Sequence, residues 1–223
     1  MKKGKLIVIE GTDGSGKATQ IELLSKRLSR EGYRTAVADF PQYGEPSAYF
    51  VERYLRGEYG SAAEVGPYRA SMFYAVDRYE KSFEIEKWLS EGRVVLCNRY
   101  VSANMGHQAS KLSGKARDKF LVWLQQLEYE LFGIPKPDAT IMLYIDPKVA
   151  QKFVGKKAAR AYTKGKKRDI HEADLSHLKK AAAAYRYVAK KYKWITINCM
   201  KGSKVLPVED VHDIVFDTVT KLL

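Results

Sequence analysis

The chain has 223 residues, 45% hydrophobic and 29% charged, with only two cysteines. Those proportions exclude a disordered, fibrous or disulfide-scaffold protein and suit a globular domain with a well-covered core. The net charge of +13 is concentrated: Lys148 to Lys193 holds 15 basic and 3 acidic residues, and the rest is nearly balanced. The charge is thus not the even basic coat that suggests a nucleic-acid binder, and one segment needs a local explanation.

Lys5-Leu-Ile-Val-Ile-Glu10 is an apolar run of strand length, cut by Glu10 and too short for a leader or a membrane span. A glycine-rich turn, Gly11 to Gly16, leads into a helix expected from about Lys17 to Glu31, striped by Ile21, Leu24 and Leu28 and closed by Gly32. Arg34 to Phe40 reads as a second strand stopped by Pro41, and Ser47 to Arg56 as a short helix ending at Gly57. A long helix is expected from Pro67, suited to a first turn, to Glu91. Val94 to Cys97 is a third strand, apolar throughout, as a strand buried on both faces should be. Lys115 to Phe132 reads as a helix with Phe120, Leu124, Leu127 and Leu131 on one face. Ala139 to Ile145 is a fourth strand, about Asp174 to Lys191 a late helix, Trp194 to Cys199 a fifth strand, and Val208 to Leu222 a terminal amphipathic helix. Cys97 and Cys199 both fall inside apolar strands, which fits buried, reduced thiols and a cytoplasmic protein.

Gly11-Thr12-Asp13-Gly14-Ser15-Gly16-Lys17 matches G-x-x-x-x-G-K between a strand and a helix. Glycines let the backbone turn its N–H groups onto phosphate oxygens, the helix N-terminus adds its dipole, and Lys17 reaches the outer phosphates. The motif usually continues with Ser or Thr as a magnesium ligand; this chain has Ala18, with Thr19 one residue on. The expectation is a single domain with a three-layer P-loop NTPase fold. Its α/β core is a five-stranded parallel sheet with helices on both faces, carrying its ligands at the carboxyl ends of the strands.

Further motifs follow in a definite order: Phe40-Pro41, Tyr74 to Arg78, Asn98-Arg99-Tyr100, Asn104 to Gln108, Pro137-Asp138, Asp146-Pro147 and Asp169-x-x-Glu172. With the phosphate loop, this collinear set resembles the thymidylate kinases over nearly the whole chain. The resemblance implies transfer of a phosphoryl group from ATP to dTMP with magnesium, and a homodimer. It implies ATP-binding roles for Gly11 to Thr19, and acceptor-side roles for Asp13, Phe40, Pro41, Tyr74, Arg78, Arg99, Asn104, His107, Gln108, Asp169 and Glu172. Tyr74 and Arg78 lie four apart on one helical face and can meet one ligand, ring against base and guanidinium to a base carbonyl. The basic segment becomes a lid over ATP, about residues 153–172. There Arg160, Lys164, Lys166, Lys167 and Arg168 are candidate cations for the moving group, Arg160 and Arg168 being favoured for bidentate geometry. Lys17 and Arg99 join those two arginines as the catalytic set. Asp13 and Asn98 are the metal-side candidates, Asn98 standing where the family usually has aspartate. The alternatives left open are a kinase for another deoxynucleoside monophosphate and a nucleotide-binding module with weak turnover. No membrane contact is expected, and a nucleic-acid partner is disfavoured.

Overall fold

In the computed structural model, which describes residues 3–154 and 175–223, five strands form one sheet in the order β2-β3-β1-β4-β5. These are β1 (Lys5–Glu10), β2 (Thr35–Asp39), β3 (Val94–Asn98), β4 (Ala139–Tyr144) and β5 (Ile195–Asn198). Every pairing is parallel. A parallel sheet needs crossovers on both faces, which is why its central strands read as unbroken apolar runs. Side chains alternate across each strand. Leu6 and Val8 of β1 therefore enter one core and Ile7 and Ile9 the other, all four fully buried.

The core containing Ile7 and Ile9 is closed by α1 (Lys17–Arg30) and α8 (Val208–Thr220), through Ile21, Leu24 and Leu28 of the first and Val211, Val215 and Val219 of the second. The opposite core is built by α3 (Ala62–Ser90), α4 (Val101–His107), α5 (Gly114–Gln125) and α7 (Leu175–Lys191). There Ile85, Val101, Met105, Phe120, Leu124 and Val188 meet Leu6, Val8, Val95 and Cys97. Two shorter helices, α2 (Tyr49–Leu55) and α6 (Pro147–Val154), flank the carboxyl edge. The chain leaves β1 toward β2 and β3, then crosses to β4 on the far side of β1. That reversal puts a crevice at the end of β1, where such folds hold their ligands.

Several boundaries differ from expectation. The long helix starts five residues before Pro67, because Ser61 caps it reciprocally with Glu64; Gly66, at φ 74° and ψ 170°, then breaks the turn before Pro67 restarts it. The helix expected from Lys115 to Phe132 divides into α5 and a π-helical turn, Gln126–Leu131. Helices α4 and α6 and a small antiparallel hairpin, β6 (Met200–Lys201) with β7 (Lys204–Val205), were not anticipated.

Candidate functional site

The loop between β1 and α1 has the geometry its glycines allow. Gly14 sits at φ 83°, and a Cβ there would lie 2.4 Å from the Ala150 carbonyl oxygen of α6. Gly16, at φ 84°, caps α1 in the left-handed region and leaves the first N–H groups of that helix open. Lys17 is buried and bends back, its Nζ donating to the carbonyls of Gly11 at 2.9 Å and Thr12 at 3.0 Å. The Ser15 hydroxyl is buried with no hydrogen-bond partner among the described residues.

Beside the loop opens a cleft of about 490 Å³. Asp13, Gly14, Gly16, Lys17, Ala18 and Thr19 form one end of it. Phe40, Pro41, Leu55, Tyr74, Arg78, Asn104 and Gln108 wall the other, and Arg99, His107, Asn98 and Asp39 lie between. The candidates thus converge on one space, except Gly11, Thr12 and Ser15, which shape the loop from behind. Arg160, Lys164, Lys166, Lys167, Arg168, Asp169 and Glu172 lie outside the described residues.

Arg99 follows β3 with φ 65°, a conformation uncommon outside glycine. It donates from Nη2 to Asp13 at 2.6 Å and from Nη1 toward the Tyr185 hydroxyl at 3.4 Å, and Nη1 lies 3.1 Å from His107 Nε2. Burial opposes its charge, and Asp13 foremost, with Tyr185 and Glu10, more than offsets that, raising its pKa. Behind it Glu10, fully buried at the end of β1, accepts from four donors: the N–H groups of Gly11 and Tyr100 and the hydroxyls of Ser102 and Tyr185. The ring of Tyr185 fits only because position 106 is glycine; a Cβ on Gly106 would stand 2.4 Å from it.

At the far end Phe40, joined to Pro41 by a cis peptide bond, tucks against Tyr100 with ring centroids 5.7 Å apart. Arg78 is 1% exposed and is gripped from behind by Glu128, which is 0% exposed. Its Nε donates to Oε2 at 2.9 Å and its Nη2 to Oε1, while Nη1 reaches the Tyr100 carbonyl at 3.3 Å. Burial works against the guanidinium charge and Glu128 outweighs it, raising the pKa of Arg78. Five donors against three acceptors leave two N–H groups for the cleft. Asn104 is tied to the Ser71 carbonyl at 3.4 Å, and Gln108 Oε1 is buried without a partner among the described residues.

Sequence reasoning missed Glu10, Asp39, Glu128 and Tyr185. Asp39 ends β2 and pairs in register with Asn98 at the end of β3. Desolvation by the cleft wall raises its pKa, against the lowering pull of Arg99, the Asn98 amide and Lys17. For a magnesium ion the donor set is spare but workable. Among the described residues no three His, Cys, Asp or Glu side chains gather around one point. Asn98 Oδ1 is buried and unpartnered, and Asp13 lines the same cleft. Magnesium typically takes one or two protein oxygens and fills its shell with water and phosphate, so these residues fit it.

A family model described as thymidylate kinase matches residues 9–213. The thymidylate kinase of Mycobacterium tuberculosis is 31% identical over 196 residues, 86% of this chain and 90% of its own. The probable thymidylate kinase of Methanocaldococcus jannaschii is 31% identical over 213 residues, covering 96% and 94%. Among solved structures, the thymidylate kinase of Candida albicans superposes with a TM-score of 0.74 at 20% identity, over 98% of this chain and 92% of that one. Among the described residues no helix is long and apolar enough to cross a membrane. With a family model matched over most of its length and relatives 31% identical over most of both chains, the chain belongs to the thymidylate kinase family.

Proposed function

We propose that the chain phosphorylates dTMP to dTDP with ATP by direct in-line transfer. A phosphate oxygen of dTMP forms a bond to the γ-phosphorus of ATP as the bond from that phosphorus to the β,γ-bridging oxygen breaks, and ADP leaves with the electron pair. The observation that carries this reading is one cleft with a phosphate-type loop at one end and a ring-and-guanidinium pocket, Phe40, Tyr74 and Arg78, at the other. Arg99 stands between, where two phosphorylated substrates would meet.

Such transfer asks little covalent chemistry of the protein; positioning and charge on the non-bridging oxygens supply the catalysis. Loop N–H groups and Lys17 hold the donor phosphates, and Arg99 spans donor and acceptor. Tyr74 stacks on the base, and the two spare N–H groups of Arg78 meet a carbonyl oxygen on its edge; Asn104, His107 and Gln108 complete that pocket. Asn98 would hold a magnesium ion, with Asp13 on the side of its water shell, and the ion would neutralise charge on the nucleotide. Arg160 and Arg168, on the basic segment, close on the transferring group, with Asp169 and Glu172 at the acceptor side.

Two further parts of the reading concern the assembled protein. Met72, Val76, Tyr79 and Phe83 are exposed at spacings of four, three and four along α3, the helix whose inner face carries Tyr74 and Arg78. That stripe supports a homodimer built on α3, which Phe83→Glu would return to monomer in a light-scattering measurement. The buried, unpaired thiols of Cys97 and Cys199 support a cytoplasmic setting.

The test is product analysis with ATP, magnesium and a panel of dTMP, dUMP, dCMP, dAMP, dGMP, UMP and CMP. Dominant dTDP is expected. Another diphosphate in its place overturns the acceptor, and no diphosphate from any of them overturns the transfer.

A further inference from the structure

Three carboxylates stand near the phosphate loop, and they are not equally free to act. Glu10 is fully buried and accepts four hydrogen bonds from within the protein. Asp13 is engaged by Arg99 at 2.6 Å. Asp39 differs from both: it is exposed and borders the cleft, and the Phe40 N–H beside it donates to the Asn98 carbonyl at 3.0 Å.

Its position is as telling as its exposure. Asp39 and Asn98 are register partners on adjacent parallel strands, so their side chains leave the sheet side by side at its carboxyl edge. Both border the main cleft, and both border a second, shallow cavity of about 310 Å³ that also touches Ala18. Ala18 offers a methyl group where a hydroxyl would be the natural oxygen ligand, which leaves the cation side of the loop short of one donor. Asn98 Oδ1, buried and without a partner among the described residues, points to a missing electropositive neighbour.

We propose that Asp39, acting with Asn98 Oδ1 beside Ala18, is the carboxylate through which this chain holds the divalent cation of its bound nucleotide. The inference rests on the nucleotide-binding reading above.

The test is calorimetric and independent of turnover. ADP affinity is measured with Mn2+ and with EDTA, and the ratio gives the factor by which the metal tightens binding. Asp39→Asn should cut that factor at least tenfold. Metal-free ADP binding should stay level or tighten, since a like charge beside the phosphates has gone. The double variant Asp39→Asn/Asn98→Asp moves the carboxylate one strand over and should recover the factor to within about threefold of the wild type. A factor unchanged within twofold in Asp39→Asn overturns the proposal, as does equal loss of ADP affinity with and without metal. A folded double variant as poor as the single overturns the claim that the two positions form one site. Absence of any ADP binding by the wild type would instead overturn the nucleotide reading itself, which keeps the two failures apart. Thermal melts of both variants confirm that each is folded before the titrations are compared.

Discussion

Truncating either member of the Arg78–Glu128 pair should destabilise the protein far more than truncating both. The pair is almost wholly out of water, at 1% and 0% exposure, and is joined by two parallel hydrogen bonds. Arg78→Met would strand the Glu128 carboxylate in the core, and Glu128→Leu would strand a guanidinium; each should cost about 3–5 kcal/mol. The double variant Arg78→Met/Glu128→Leu leaves neither charge behind and fills much of the same volume, so it should cost less than either single change. At about 2–4 °C per kcal/mol for a domain of this size, a single variant should melt roughly 6–20 °C below the wild type, with the double recovering most of that. Urea unfolding with unchanged m-values gives the free energies directly. Acceptor kinetics separate packing from recognition. Both variants lacking Arg78 should keep a raised KM for dTMP with little change in the KM for ATP, even where stability has returned. Single costs below about 1 kcal/mol, or a double cost equal to the sum of the singles, would refute the description of a buried, mutually dependent ion pair.

Lys17→Ala should lower kcat by about two to three orders of magnitude, since it removes a preorganised cation from the phosphates, while the melting temperature stays near the wild type; wild-type turnover would sink the assignment. Gly106→Ala drives a methyl group into the Tyr185 ring, 2.4 Å away, and should cost about 1–3 kcal/mol in urea unfolding. In a Tyr185→Leu background the same change should cost much less, and an equal cost in both backgrounds would place the strain elsewhere. Lys111 donates to the Tyr54 hydroxyl and the Ala62 carbonyl, both at 3.0 Å, and desolvation lowers its pKa to about 8. The unfolded chain therefore binds the extra proton, so the penalty is complete below about pH 8 and fades as pH rises toward the ordinary lysine value. Lys111→Met should be neutral or stabilising at pH 7 and lose that advantage by pH 10, read as the difference between two urea titrations. A pH-independent difference would refute it.

What could be read from the sequence was whatever nature writes locally. Val94 to Cys97 declares a buried parallel strand by being apolar on both faces, and Gly11 to Lys17 declares a phosphate loop by backbone chemistry that only a few residue types permit. Helix α4 escaped because Val101 to Gly106 is buried all round, leaving no polar face against which a helical period could appear. Glu128 sits in Gln-Leu-Glu-Tyr-Glu-Leu and looks like one more exposed acid. Only the π-helical turn and a partner fifty residues away put it at zero exposure. Asp39 was visible as the last polar residue of a strand, and its meaning came from the strand beside it, which depends on sheet order. Tyr185 likewise read as part of a late helix, and its contact with Glu10 joins opposite ends of the chain. Residues proposed to meet the ligand were legible through motif, Asp39 excepted; residues that act on other residues were not.

The cations at the site have a bearing on how the protein lets go. Lys17 is already satisfied by two loop carbonyls, and Arg99 already holds Asp13. In the proposed roles of Lys17 and Arg99, an incoming phosphate would exchange partners with groups that have somewhere to return to, and each contact would yield only the difference between two good interactions. Bare cations would grip a nucleotide harder and release it more slowly. Weaker grip shortens residence time, and a site that must discharge two nucleotide products in every cycle gains throughput from cations that already have partners.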